Sequence, residues 1–200
     1  MLERIVNHLI LQSSFIDDIG LFYGKTGIAI ALYHYASSHQ DEACEVYADE
    51  LIEQVCGSIQ EDMPITLSKG LCGIAWGICH LMENGFLAGD VDEVLLDIDE
   101  KIMERSLCRI KDFSLETGLE GIGLYIEKRQ EVSGVFHKLP PFNADYCREA
   151  SRAIEMNHIL KHQNILAEFQ SVTIDMDTNL QGLPLGIYNG CANNVYNDRS

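Results

Sequence analysis

Basic residues are scarce in this chain. Lys and Arg number 14 against 31 Asp and Glu in 200 residues, a formal net charge of −17. Nucleic acid and anionic membrane surfaces both require a basic footprint, so neither is expected as the main partner. Long apolar runs are also missing. The longest near-apolar stretch, Gly27 to Ala36, carries His34 and falls well short of a membrane span. Disorder is excluded by a hydrophobic content of 46%. The N-terminus, MLERIVNHLILQSS, has no basic segment leading into a clean apolar block, so no signal peptide is expected. There is no CxxC. The seven cysteines (Cys44, Cys56, Cys72, Cys79, Cys108, Cys147 and Cys191) are odd in number, and most lie in apolar helical windows. That pattern predicts buried reduced thiols in a cytoplasmic protein, not a disulfide framework. At this length one core and one domain, residues 1–200, are expected.

What the chain does have is internal repetition. Tyr23-Gly24-Lys25-Thr26-Gly27-Ile28, Lys69-Gly70-Leu71-Cys72-Gly73-Ile74 and Thr117-Gly118-Leu119-Glu120-Gly121-Ile122 share the form GxxGI. A looser fourth copy is read at Gln181-Gly182-Leu183-Pro184-Leu185-Gly186-Ile187. Apolar runs follow, such as Ile28 to Tyr33 and Ile74 to Cys79. Between them lie amphipathic windows. Cys44, Tyr47, Ala48, Leu51, Ile52 and Val55 form one, with Gly57 as its stop. Val91, Val94, Leu95, Ile98 and Ile102 form another, with Asp90 and Glu93 as its capping pair. Residues 145 to 170 read as a long helical stretch with a break near Asn157 or Asn164. The expected fold is all-α: an α/α toroid, whole or partial, of outer and inner helices joined by GxxG loops. The paired glycines are expected to supply positive φ and close helix approach.

These residues resemble the lanthionine synthetase C-like family. The strongest passages are GLFYGKTGIAIALYHYA, KGLCGIAWGICHLMENG and LETGLEGIGLYI, and the resemblance covers about residues 15 to 190. It implies an α/α toroid of seven GxxG-type repeats, so this chain looks like a short, four-repeat member. Active members hold one zinc ion through two cysteines and a histidine, which activates a peptide thiol for thioether ring closure. One ligand lies in a Trp-Cys-Tyr-Gly segment; here the matching segment is Leu21-Phe22-Tyr23-Gly24, with Phe22 at the ligand position. The others come as Cys-His-Gly. The candidate segments are Ser68-Lys69-Gly70, Glu116-Thr117-Gly118 and Leu180-Gln181-Gly182, and none has that pair. A catalytic zinc site needs three protein ligands. The expectation is therefore no zinc and no other cofactor.

Other chemistry is weaker in the sequence. Cys79 and His80 are neighbours on one predicted helix and point about 100° apart, too divergent for one ion. His34 and His80 each sit seven residues after a motif glycine and read as core-edge histidines. His158 and His162, with Glu155 nearby, have i, i+4 metal spacing but read as a solvated face. Cys191 reads as packed in the last inner helix. Gly20 to Thr26 nearly matches GxxxxGK[ST], but Ile19 occupies the required first glycine. Lys25 and Lys69 leave a weak anion site at a helix start open.

Acids lie at every loop: Asp17 and Asp18; Glu61 and Asp62; Asp112, Glu116 and Glu120; Asp175 and Asp177. They are expected as turn caps and solubility charge. The candidate binding loops comprise Asp17, Asp18, Tyr23, Gly24, Lys25, Gly27, Lys69, Gly70, Cys72, Gly73, Glu116, Gly118, Glu120 and Gly121. The favoured reading is non-catalytic: binding of a peptide or protein partner, a basic leader peptide against the acidic loop end, or a second copy covering an open side. Two enzymatic readings stand beside it. One is a peptide-modifying enzyme with displaced zinc ligands or with Cys72 as nucleophile, its pKa lowered by a helix N-terminus and Lys69. The other is a glycosidase using Asp17 and Glu116; Trp76, Tyr23, Tyr33 and Tyr125 could stack sugar, but most lie on inner helices, where core packing explains them better.

Overall fold

The structure, a computed structural model, describes residues 1–135, 141–156 and 165–198. Among these it is all-helical, with no strand. The helices are α1 (Leu2–Ser13), α2 (Lys25–His39), α3 (Glu42–Gly57), α4 (Leu71–Glu83), α5 (Val91–Met103), α6 (Leu119–Val135), α7 (Ala144–Met156), α8 (Ile165–Glu168) and α9 (Cys191–Asn197), with a 3-10 turn at Leu107–Arg109. Polar-faced and buried helices alternate as in the α/α toroid class: α2, α4, α6 and α9 follow the glycine loops. The predicted breaks at Asn157 and Asn164 lie outside the described residues, as do His158 and His162. The contacts divide the chain into two compact units, Met1–Glu61 with Gln163–Ser200, and Asp62–His162.

In the first unit α2 packs on α3 and on α9, and α1 packs on α9. The α2 sequence is apolar nearly all round, so every residue from Ile28 to Tyr33 is buried. Asp41 caps α3 by accepting the Cys44 amide at 3.0 Å. Cys44, Ala48, Leu51, Ile52 and Val55 then face the core, as the periodicity predicts. Tyr47 is half-buried; its hydroxyl lies 2.8 Å from the Ile10 carbonyl oxygen and 2.7 Å from Ser13 Oγ, tying α3 to α1. Tyr33 of α2 donates to the Asp49 carboxylate of α3. Gly57 is simply the last residue of α3 and makes no left-handed stop.

In the second unit α4 is buried from Leu71 to Met82 and packs on α5 and α6. Asp90 caps α5, as predicted, by accepting the Asp92 amide at 2.9 Å. The predicted apolar face is corrected at one position: Val94 is exposed and Asp99 is buried. The reason is a polar cluster. Arg129 of α6, wholly buried, donates to Asp99 Oδ2 at 3.0 Å, Asp92 Oδ1 at 2.6 Å and Ser133 Oγ at 2.8 Å. Tyr125 donates its hydroxyl to the other Asp99 oxygen. A buried carboxylate and guanidinium are tolerated because each satisfies the other.

Candidate functional site at the repeat loops

All four inner helices start in one way. The first helical amide donates to the carbonyl seven residues earlier: Lys25 to Asp18, Leu71 to Pro64 and Leu119 to Asp112 at 2.9 Å, and Cys191 to Pro184 at 2.8 Å. The intervening loop is pulled so tight that no side chain fits at its last residue. A Cβ on Gly24, Gly70 or Gly118 would lie 2.4, 2.0 or 2.4 Å from the same carbonyl oxygen. The expectation of positive φ is thereby corrected. Gly24 and Gly70 have φ −111°, which any residue adopts. Close approach, and not handedness, demands glycine. The second glycines obey the same rule, since a Cβ on Gly27 or Gly121 would meet Leu21 O at 2.1 Å or Leu115 O at 2.2 Å. Gly73 is buried in the first turn of α4, its amide shared between Thr66 O and Gly70 O.

The fourth repeat is shifted from its predicted register. Gly190, not Gly182, precedes the inner helix, and Asn193 takes the place of the second glycine. Gly182 lies in an upstream turn with φ 83°. Gly186 instead presses on the first repeat, where its Cβ would lie 2.2 Å from Phe22 O. Asn193 is buried and donates to Phe169 O at 3.0 Å. Cys191 is buried at the start of α9, as expected.

Several loop acids build turns. Asp18 accepts the Gly20 amide at 2.8 Å, and Asp112 accepts the Ser114 amide at 2.9 Å. Asp112 also accepts from the Thr117 hydroxyl at 2.6 Å, and these bonds hold its carboxyl below the usual range. Pro64 and Pro184 occupy the same position in the other two repeats. Asp175 makes a like turn with Asp177 and Thr178. Asp17 is exposed on the first unit; Glu116 and Glu120 are half-buried on the second. Ser68 N donates to Glu116 O at 2.9 Å, joining the second and third loops. Lys25 reaches Gln54 Oε1 at 2.7 Å, and Lys69 is exposed.

In the first unit the loops close on an aromatic cluster. Phe22, fully buried, stacks on Tyr188 at 4.7 Å and meets Phe169 edge-on at 4.9 Å. Tyr23 stands edge-on to Tyr188 at 5.7 Å. Phe169 and Tyr188 were not among the predicted site residues; the misplaced fourth register hid them. In the second unit a cavity of about 550 Å³ opens beside the second and third loops. Pro64, Ile65, Ile110 and Ile122 form its aliphatic wall, and Arg105 and Arg109 its charge.

One chemical alternative is corrected. Cys72 lies within the first turn of α4, with no exposed surface, and burial together with the Asp99 charge pushes its thiol far above the ordinary range. That shift is opposite to the one that activates a thiol. Trp76, Tyr33 and Tyr125 are buried core residues and offer no face to a sugar. His80 stacks on Trp76 at 5.4 Å, and His34 meets Tyr196 edge-on at 4.9 Å. Burial pushes the Cys79 thiol up to about 12. Among the described residues no three His, Cys, Asp or Glu side chains group as a metal site, and no helix is long and apolar enough to cross a membrane.

Tight glycine loops before buried helices, repeated in one mould, are the feature on which a family comparison turns. The family model described as lanthionine synthetase C-like protein matches residues 1–158. The chain belongs to the lanthionine synthetase C-like family. No curated protein matches the chain. The matched segment of this lanthionine synthetase C-like chain holds the first three repeats; the shared carbonyl contact extends the mould to the fourth. With the register corrected, the fourth loop-entry segment is Tyr188-Asn189-Gly190, so the four segments carry Phe22, Ser68-Lys69, Glu116-Thr117 and Tyr188-Asn189. These side chains do not fit a zinc ion held by two thiolates and an imidazole. No zinc chemistry is assigned to them.

Proposed function

We propose that these repeats bind a peptide or protein partner at their loop ends and do not themselves close thioether rings. The observation that carries this reading is the pairing of an open cavity with closed ligand positions. The cavity beside the second and third loops is of the size that takes small ligands or a few side chains. At the loop-entry positions, meanwhile, Phe22 is spent on an aromatic stack and Ser68 is buried. The thiol-enzyme alternative loses its nucleophile to the burial of Cys72. The carboxylate-pair alternative keeps only the half-buried Tyr23 of its four stacking aromatics, since Trp76, Tyr33 and Tyr125 are buried.

The test is a bead-displayed random heptapeptide library screened against the full chain, followed by titration of the enriched peptides. Saturable binding is expected. In parallel, a peptide carrying one dehydroalanine and one cysteine is incubated with the chain and zinc. No thioether is expected above the buffer rate. Failure to enrich any peptide would overturn the reading, and zinc-dependent ring closure would reverse it.

A further inference from the structure

We infer that the cavity beside the second and third loops is a docking site for an extended peptide presenting an acidic side chain next to an aliphatic one. This rests on the peptide-binding reading above and adds the chemistry of the ligand. In a chain of net charge −17 the charge at this cavity is positive. Arg105 and Arg109 line it, and among the described residues neither guanidinium has a hydrogen-bond or ion-pair partner. The one acid in the lining, Glu104, is paired with Lys101 at 3.4 Å. Two uncommitted guanidiniums are the side chains best shaped to take a carboxylate in paired hydrogen bonds.

The segment carrying them is held in place. Leu107 is wholly buried between the two arginines. Glu149 of α7 accepts from Ser106 Oγ at 2.8 Å and from the Cys108 amide at 3.0 Å, clamping the 3-10 turn. The backbone amides of Arg105 and Arg109 are bonded to Ile102 O at 3.1 Å and Ser106 O at 3.2 Å. A fixed scaffold lowers the ordering cost of binding. Part of the same lining is aliphatic, from Pro64, Ile65, Ile110 and Ile122. A free inorganic anion would leave that part uncovered. A peptide with a neighbouring Leu, Ile or Val covers it, and for this reason a peptide is the assigned occupant. A basic leader peptide, the ligand suggested by acid count alone, would meet like charge here.

Peptides enriched from the heptapeptide library are sequenced and titrated against wild type and against R105Q/R109Q, with thermal melts of both. Each peptide is also made with its acid replaced by the amide (Glu by Gln, Asp by Asn), and inorganic phosphate is titrated alone. The expected result is enrichment of Asp or Glu beside an aliphatic residue. Affinity should fall on the order of tenfold both for the amide peptide and for the double variant, with unchanged melting temperature. Equal binding of acid and amide peptides, or binding unaffected in R105Q/R109Q, would overturn the inference and leave the peptide-binding reading standing. So would phosphate binding as tight as peptide binding. No enriched peptide at all would overturn both.

Discussion

Phe22 and Tyr188 occupy the same position, two residues before the loop glycine, in the first and fourth repeats, and their rings stack at 4.7 Å with an interplanar angle of 12°. The position that the family resemblance assigns to a zinc-binding cysteine is here half of an aromatic pair. Phe22→Ala is expected to cost roughly 3–5 kcal/mol, the range for emptying a buried phenylalanine site. A double-mutant cycle with Tyr188→Ala should return a coupling of about 0.5–1.5 kcal/mol. Denaturant unfolding of the four proteins measures it. Zero coupling would show that the stack is incidental.

The glycines divide into two kinds that a sequence does not distinguish. Gly70→Ala and Gly118→Ala drive a methyl group into Pro64 O and Asp112 O and should each cost at least about 2 kcal/mol. Gly57→Ala meets nothing within 4 Å and sits in α3, so it should stabilise by about 0.5–1 kcal/mol. Melting temperatures of the three variants, read against wild type, check both signs.

Asp99 and Arg129 are a test of mutual satisfaction. Asp99→Ala leaves a buried guanidinium short of its main partner and should cost about 3–5 kcal/mol. Tyr125→Phe removes one hydrogen bond to the same carboxylate and should cost about 1 kcal/mol. Chemical denaturation of both variants gives the ratio. A small effect of Asp99→Ala would mean that the cluster is not satisfied as described.

The cysteines should react in an order set by burial. All seven are free. Cys56 and Cys108 are exposed and Cys147 is half-buried, whereas Cys44, Cys72, Cys79 and Cys191 are buried. A colorimetric disulfide reagent should label two thiols fast, a third slowly, and the other four only on unfolding. Burial pushes the Cys44 thiol up to about 12, which reinforces its silence. Fast labelling of Cys72, mapped by mass spectrometry, would restore it as a nucleophile.

The clamp on the arginine-bearing turn has a definite pH sign. Hydrogen bonds from the Cys108 amide and the Ser106 hydroxyl hold the Glu149 carboxyl below its usual range. Its folded pKa thus lies below the unfolded one, so the stabilisation is present above the unfolded value. It is lost as pH falls through the folded value. The protection factor of the Cys108 amide against hydrogen exchange should fall on acidification through that window. In Glu149→Gln it should lose that dependence.

Much of this was legible in the sequence. The GxxGI spacing located three inner helices, because a glycine pair before an apolar run has few other uses. The helical periodicity located α3 down to its buried residues. Three things were not legible. The fourth register is obscured because Gly186 is followed directly by Ile187, as the second glycine is in the other three copies, whereas no Ile follows Gly190. The residue six before each loop glycine (Asp18, Pro64, Asp112, Pro184) was the signal that would have corrected it. Asp99 was missed because a buried acid is visible only through its partner thirty residues on, Arg129. The cavity arginines were not legible because a 3-10 turn between helices has no periodicity to mark it, and the chain's charge balance points to acids.

The most direct test of the central claim is the affinity of a library-enriched peptide for the full chain, measured once in chelator and once with added zinc. The account predicts the same affinity in both, and an unchanged peptide mass after incubation. Binding that appears only with zinc, or a cysteine-containing dehydro-peptide that loses its free thiol on the chain, would contradict it.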